Sequence, residues 1–267
     1  MATERVVIVG AGPAGLAAAK QLVLYGIDPL VYECDEPGGL LLNACSVVNY
    51  PGVSEGISGR ELISRFQLPS RLVSAEVTEI CEKDHHYEVY SENECISTLS
   101  VIIASGTVPV KLMIPGIAEN RIHYHVKNIA SFSGRTAAVI GGGDAALDYA
   151  MSLSSRYSVN IYARGNFSRA VPHLLEKVRQ TPSITLLTES RSMNSYSEDN
   201  IVVAVGRRPR VDLISKKLLS SPPENGSFHM CGDCKNGNFR QTAIATGNGI
   251  EAAMRTAGYL RKVKTAV

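Results

Sequence analysis

Residues 6–9 are an unbroken apolar run, glycines follow at positions 10, 12 and 15, and an alanine-rich stretch of helical spacing continues to Leu22. RVVIVGAGPAGLAAAKQL therefore predicts a strand, a tight glycine turn and a helix. The same order returns from Thr136 in TAAVIGGGDAALDYAMSL. Each copy has a later companion, IIASGTVP at residues 102–109 and VVAVGRRP at residues 202–209. One glycine-rich turn is a weak signal, since ordinary βα turns produce it often. Two copies, each followed by a strand ending in Ala-x-Gly-x-x-Pro, predict two dinucleotide-binding units.

The chemistry follows from the backbone. Gly10 permits the tight turn, Gly12 lets the main chain approach a pyrophosphate, and Gly15 allows close helix–strand packing. The helix N-terminus then stabilises the anion. Gly141, Gly143 and Ala146 take the same three places in the second copy. An acid about 20 positions past the glycines holds a ribose 2′-hydroxyl in such units. PLVYE supplies Glu33 in the first. The matching stretch VNIYARGNFSRA has no acid and offers Arg164 and Arg169, which suit a 2′-phosphate and favour NADPH over NADH.

Composition narrows the class. A chain of 267 residues, 45% hydrophobic and 19% charged with 23 glycines, has room for two modest domains of a soluble α/β enzyme. A net charge of +2, from 27 basic and 25 acidic residues, argues against nucleic acid or an anionic membrane as partner. Arg261, Lys262 and Lys264 end a helical pattern and complement its dipole. No apolar run reaches the roughly 20 residues of a membrane span. Six cysteines without an export signal predict reduced thiols and a cytoplasmic setting.

One motif competes with this picture. CGDC places Cys231 and Cys234 at the spacing of a redox dithiol or of half a zinc site. No second C-x-x-C or histidine pair supplies further ligands, so no metal is expected. Cys45, after PGGLLLNA, is a candidate redox thiol or a small buried filler. Cys34, Cys81 and Cys95 carry no motif, and His123 and His125 flank Tyr124 without an assigned role. RELISRF, residues 60–66, reads as a packing helix.

Taken in order, VVIVGAGPAGLAAA, EPGGLLLNACSVVNYPGVSEGISGREL, IIASGTVP, VIGGGDAALDYA, RGNFSRA and CGDCKNGNFRQTAIATGNGIEAAMRTAGYL resemble the low-molecular-weight thioredoxin reductase family over nearly the whole chain. The resemblance implies an α/β fold of two Rossmann-like dinucleotide-binding domains. FAD would be held by residues 1–112 and 210–267, and NAD(P)H by residues 113–209, with NADP expected and NAD an alternative. Matched by position, Gly10, Gly12, Pro13, Ala14, Gly15 and Glu33 would hold the adenosine diphosphate part of FAD. Gly38, Gly39 and Asn49 would line the flavin side, with Ala104, Ser105 and Gly106 alongside and Leu41 and Val77 in the same set. Asp233, turned by Gly232, would bind the ribityl chain, and Arg240, Gln241 and Thr242 would contact the flavin end. Gly141, Gly143, Asp144, Ala145, Arg164, Arg169 and Gly206 would hold the nicotinamide dinucleotide.

The sequence also departs from that family. Its C-x-x-C, just ahead of the second glycine turn, is replaced here by Tyr124-His125-Val126-Lys127. There the chain resembles ferredoxin/flavodoxin–NADP reductases of the same scaffold, which lack the dithiol. The usual His-Arg-Arg-x-x-x-Arg clamp is Ala163-Arg164-Gly165-x-x-x-Arg169, and one lost arginine costs about 1–3 kcal/mol of charge-assisted hydrogen bonding. Residues 187–200 form a shorter segment than the family builds there.

The expectation is an FAD-dependent oxidoreductase that passes a hydride from NAD(P)H to FAD and then electrons to an external acceptor. That acceptor would be a ferredoxin- or flavodoxin-like protein, a thiol protein or a small molecule, and the resemblance implies a homodimer. Two readings stay open beside it. One is a thioredoxin-type disulfide reductase using Cys231/Cys234 or Cys45; the other is a flavin-bearing sensor or assembly subunit with little turnover.

Overall fold

The computed structural model describes residues 4–53, 56–92, 94–188 and 196–265. Strand β1 (Val7–Val9), helix α1 (Pro13–Leu24) and strand β2 (Leu30–Glu33) form the first βαβ turn. Helix α2 (Gly59–Ser64) and strand β3 (Leu72–Ser74) follow. An antiparallel meander comes next, β4 (Val77–Lys83), β5 (His86–Ser91) and β6 (Cys95–Thr98). Strand β7 (Val101–Ile103) rejoins the first sheet, and β8 (Thr107–Pro109) leads away from it.

The next stretch builds a second unit from β9 (Ile122–His123), β10 (Thr136–Ile140), α3 (Asp144–Leu153), β11 (Ser158–Ala163), α4 (Pro172–Arg179), β12 (Ile184–Thr188) and β13 (Asn200–Val203). The chain returns through β14 (Arg207–Pro209) and α5 (Lys216–Ser220) to β15 (Phe228–Met230), then runs into the long helix α6 (Thr242–Thr265).

Two five-stranded parallel sheets result, ordered β15-β7-β1-β2-β3 and β12-β11-β10-β13-β9. Parallel strands covered on both faces need continuous apolar runs rather than alternation. Val7, Ile8, Ile102 and Ile103 in the first sheet, and Ala137, Ala138 and Val139 in the second, are fully buried. The internal repeat thus takes physical form. Each glycine-turn strand lies between the next strand in the chain and the later strand that ends in Ala-x-Gly.

Small residues set the helix packing. Ala14, Ala18 and Ala19 of α1 share a core with Ala252, Ala253 and Ala257 of α6. The two backbones come so close that a Cβ on Gly249 would sit 2.0 Å from the Ala14 carbonyl oxygen. In the second unit Leu147, Leu153, Ile161 and Val178 form the corresponding core. The packing helix expected at residues 60–66 is α2, capped by Ser58, whose hydroxyl accepts from the Glu61 N–H at 3.1 Å.

The two later companions of the repeat pair with each other. Strands β8 and β14 run antiparallel, with Thr107 opposite Pro209 and Pro109 opposite Arg207. Beyond the strands, the Arg210 N–H donates to the Gly106 carbonyl at 3.0 Å and the Val110 N–H to Gly206 at 3.0 Å. Every strand of the second sheet lies between these crossings. The shortened segment at 187–200 and the side chain of Lys264 lie partly or wholly outside the described residues. Among those residues, no helix is long and apolar enough to cross a membrane.

Candidate active site

The glycine turns are built alike. Gly10 adopts φ +104°, its N–H donates to the Tyr32 carbonyl at 2.8 Å, and a Cβ there would lie 2.3 Å from the Ala104 oxygen. Gly141 adopts φ +149°, its N–H donates to the Tyr162 carbonyl at 2.9 Å, and a Cβ would lie 2.4 Å from the Ala204 oxygen. At Gly15 a Cβ would meet the Gly10 oxygen at 1.8 Å, whereas the second turn accommodates Ala146. Gly12 and Gly143 are the N-caps of α1 and α3, and a Cβ on either would meet no atom within 4 Å. Each cap glycine therefore leaves room for a group to approach the start of its helix. Glu33 ends β2 and braces the first turn, accepting the Ala11 N–H at 2.7 Å and the Asp35 N–H at 3.0 Å.

A cavity of about 830 Å³ runs between the two units. Gly10, Gly12, Pro13, Ala14, Glu33, Gly39, Leu41, Asn49, Val77, Ala104, Ser105 and Gly106 line it, as do Asp233, Arg240, Gln241 and Thr242. The second unit contributes Asp144, Ala145 and Gly206. Gly15, Gly38 and Gly232 lie behind the wall and shape its turns, the last two at φ +122° and +69°. Gly141 and Gly143 lie outside this lining, and Arg164 and Arg169 are solvent-exposed beyond it. The loop bearing both arginines is tied over the start of α3, where the Val171 N–H donates to Asp144 Oδ1 at 2.7 Å.

The slot without sulfur sits on the cavity wall. Asn43 Oδ1 accepts the N–H groups of Val126 at 2.8 Å and Lys127 at 3.0 Å, fastening residues 124–127 to the turn Gly39–Asn43. Lys127 pairs with Asp35. Tyr124 and His125 both line the cavity. Burial, with Arg207 and Lys127 nearby, pushes His125 down to about 4, so its ring is neutral at pH 7. Among the described residues its Nδ1 is buried with no hydrogen-bond partner, as is Arg240 Nε.

The thiols divide by position. Cys45 and Cys34 line the cavity, and burial pushes both thiols up. Cys231 and Cys234 are 1% and 3% exposed and lie outside its lining. Burial pushes both of these thiols up as well, and Cys234 Sγ donates to the Cys231 carbonyl at 3.2 Å. All six cysteines are free. Among the described residues, no group of three or more His, Cys, Asp or Glu is placed to hold a metal.

Sequence reasoning assigned no site role to several cavity residues, among them Cys34, His125, Asp148 and Arg207. Two had a local signal, since Cys34 follows Glu33 and Arg207 follows Gly206 directly. Arg207 Nε donates to Thr107 Oγ1 at 2.9 Å and Nη2 to the Thr107 carbonyl at 2.8 Å. Asp148 accepts the Cys45 N–H at 2.9 Å, and burial pushes its carboxyl up to about 6.

An open helix N-terminus, an acid bracing the glycine turn and orphaned buried polar atoms in one long cavity fit a dinucleotide. The first unit lines the cavity with Gly10 and Gly12 and the second with Asp144, Ala145 and Gly206, so two glycine-turn units meet at one cavity, the arrangement of an oxidoreductase that brings two dinucleotides together. Residues 4–181 match the family described as pyridine nucleotide-disulphide oxidoreductase. The thioredoxin reductase of Borreliella burgdorferi is 30% identical, with 97% of this chain and 92% of that protein covered. The crystal structure of Lactococcus lactis thioredoxin reductase in its FR conformation has a TM-score of 0.85 at 25% identity, covering 97% of this chain and all of that one (100%). Thioredoxin reductase of T. acidophilum shares the fold, with a TM-score of 0.80 at 22% identity and coverage of 97% and 98%. The chain belongs to the pyridine nucleotide-disulphide oxidoreductase family, with the two Rossmann-like domains of low-molecular-weight thioredoxin reductases. It is an FAD-dependent NAD(P)H oxidoreductase, as the family resemblance implied.

Proposed function

We propose that the cavity between the sheets holds FAD, and that NAD(P)H bound at the second glycine turn reduces it for an acceptor outside the chain. The observation that carries this reading is the sulfur-free slot Tyr124-His125-Val126-Lys127, where the resemblance places a dithiol. The burial of Cys231 and Cys234 away from the cavity supports it. Residues 113–209 would form the nicotinamide-binding unit, inserted between the two parts of the FAD-binding unit.

In this reading Gly12 and the N-terminus of α1 meet the pyrophosphate, and Glu33 holds the adenosine ribose. Asp233 takes the ribityl chain, while Gly39, Asn49, Ser105, Arg240, Gln241 and Thr242 frame the flavin. Asn49 and Gln241 brace each other, Asn49 Nδ2 donating to Gln241 Oε1 at 2.8 Å. Bound FAD supplies the two-electron chemistry, so the protein's own task is position, water exclusion and electrostatics. Gly141, Gly143, Asp144, Ala145 and Gly206 would seat the nicotinamide dinucleotide, with Arg164 and Arg169 reaching a 2′-phosphate from solvent.

Anaerobic titration of the FAD-loaded protein, first with dithionite and then with NADPH and NADH, tests the proposal. One electron pair per FAD with bleaching by NADPH is the expected result. Consumption of two pairs would overturn it in favour of an internal disulfide. A second reading has one specific support: Cys45 lines the cavity, so a thioredoxin-type protein disulfide could be reduced through it. Loss of disulfide reduction in Cys45→Ser, with flavin reduction intact, would select that reading.

A further inference from the structure

Among the described residues Arg207 is a cation without a salt-bridged anion. It lines the cavity, with Nε and Nη2 committed to Thr107. Among the described residues no carboxylate forms an ion pair with it. Arg240 lines the same cavity with its Nε buried and unpartnered. The neighbouring titratable groups are Tyr149, Asp233 and His125. His125 is neutral at pH 7, and among the described residues Asp233 forms no salt bridge with Arg207, so neither pairs directly with the guanidinium. A guanidinium keeps its proton under all ordinary conditions. A half-buried one without a partner calls for negative charge from whatever fills the cavity.

Charge balance says when that charge arises. A hydride is one proton and two electrons. Transferred from a bound nicotinamide to a bound neutral flavin, it would leave an oxidised nicotinamide and a reduced ring with one negative charge. We propose that Arg207, braced by Thr107 and accompanied by Arg240, stabilises the anionic reduced flavin and so makes bound FAD easier to reduce. The proposal rests on the placement of FAD in this cavity. The donor is fixed before the charge appears, which is the arrangement that stabilises developing charge best. Its position directly after Gly206 puts it on the strand that joins the two units, where β14 meets β8.

The test is a reduction midpoint, measured by dye equilibration without NADPH on wild type, Arg207→Gln, Arg207→Lys and Thr107→Val, beside FAD affinity by fluorescence. A tenfold change in a two-electron equilibrium is about 30 mV. Wild type should take up one proton with two electrons near neutral pH, a slope of about 30 mV per pH unit. Arg207→Gln should keep its FAD and shift the oxidised-to-reduced ratio at least tenfold towards oxidised, about 30 mV lower, with a steeper pH slope. Arg207→Lys should lie near wild type and Thr107→Val between the two. An unchanged midpoint in FAD-loaded Arg207→Gln overturns the proposal, and so does lost NADPH affinity at unchanged midpoint. Should Arg207→Gln not fold, an unchanged midpoint in Thr107→Val overturns it. Wild-type protein that takes up no FAD refutes the cavity assignment itself, a failure visible before any midpoint is read.

Discussion

The carboxylate of Asp148 accepts the backbone N–H of Cys45 at 2.9 Å, across 103 residues of chain. The bond joins α3 of the second unit to the loop that follows Gly39–Asn43 on the first. Two backbone donors, Cys45 and Ser46, favour the ionised carboxylate, yet burial outweighs them and its pKa rises to about 6.

That balance makes stability depend on pH. The folded pKa lies above the unfolded one, so the native state binds the extra proton between about pH 4 and 6. The cost of ionising Asp148 is therefore absent below that window and complete above it. It amounts to at most about 3 kcal/mol, and partial exposure reduces it to about 1–2 kcal/mol. Asp148→Asn keeps an acceptor and removes the titration. In urea denaturation it should gain about 1–2 kcal/mol on wild type between pH 4 and pH 8. A difference that stays constant with pH would contradict this account.

The two glycines of the first turn should fail in different ways. Gly10→Ala places a methyl 2.3 Å from the Ala104 oxygen at φ +104°, and about 2–4 kcal/mol of stability should be lost. Gly12→Ala meets nothing within 4 Å, so its melting temperature should stay near wild type. FAD uptake should nevertheless fall at least about tenfold, because in the proposed reading the methyl stands where backbone would meet pyrophosphate. Equal FAD affinity for Gly12→Ala and wild type would place the pyrophosphate elsewhere.

Thiol labelling separates the cysteines. Exposed Cys95 should react with an aromatic disulfide reagent in the native protein, while Cys231 and Cys234 should wait for unfolding. The double variant Cys231→Ala/Cys234→Ser should reduce its flavin with NADPH within about twofold of wild type. A loss of more than about tenfold would return the C-x-x-C pair to the mechanism.

Glu33 offers a contrast with Arg207. Its two oxygens accept the Ala11 and Asp35 N–H groups at 2.7 and 3.0 Å. Glu33→Gln weakens charge-assisted bonds worth about 1.5–3 kcal/mol, so FAD affinity should fall roughly 10- to 100-fold. The midpoint of the FAD still bound should not move. A shifted midpoint with unchanged affinity would reverse the roles given to these two residues.

The parts legible in the sequence are those decided locally. Gly10, Gly12, Gly15 and Glu33 belong to one continuous βαβ turn, so spacing alone fixes their geometry. Cavity residues that depend on distant partners left little trace. Arg207 is held by Thr107, 100 residues earlier, through strands of three residues that are too short to show a period. Asp148 reads as one more polar position of α3 until Cys45 is set against it. The C-x-x-C spacing was visible, but the burial that pushes both thiols up comes from distant elements, α1 and α6 packed on Cys231 and the β4, β5 and β7 cluster packed on Cys234. Arg164 and Arg169 were legible as a pair, and their exposure beyond the cavity was not.

The β8–β14 crossing also bears on how the outer sheet closes. Val101 pairs with Phe228, so β7 and β15 bracket the whole second unit. Brought together through an unfolded chain, they would close a very long loop. Once the second sheet is formed and Arg210 is bonded to Gly106, the free chain between them shrinks to residues 104–106 and 210–227. Loop-closure entropy grows with the logarithm of length, so this shortcut removes about 1–2 kcal/mol from closing the outer sheet. The inserted unit thereby acts as a staple for the sheet that hosts it.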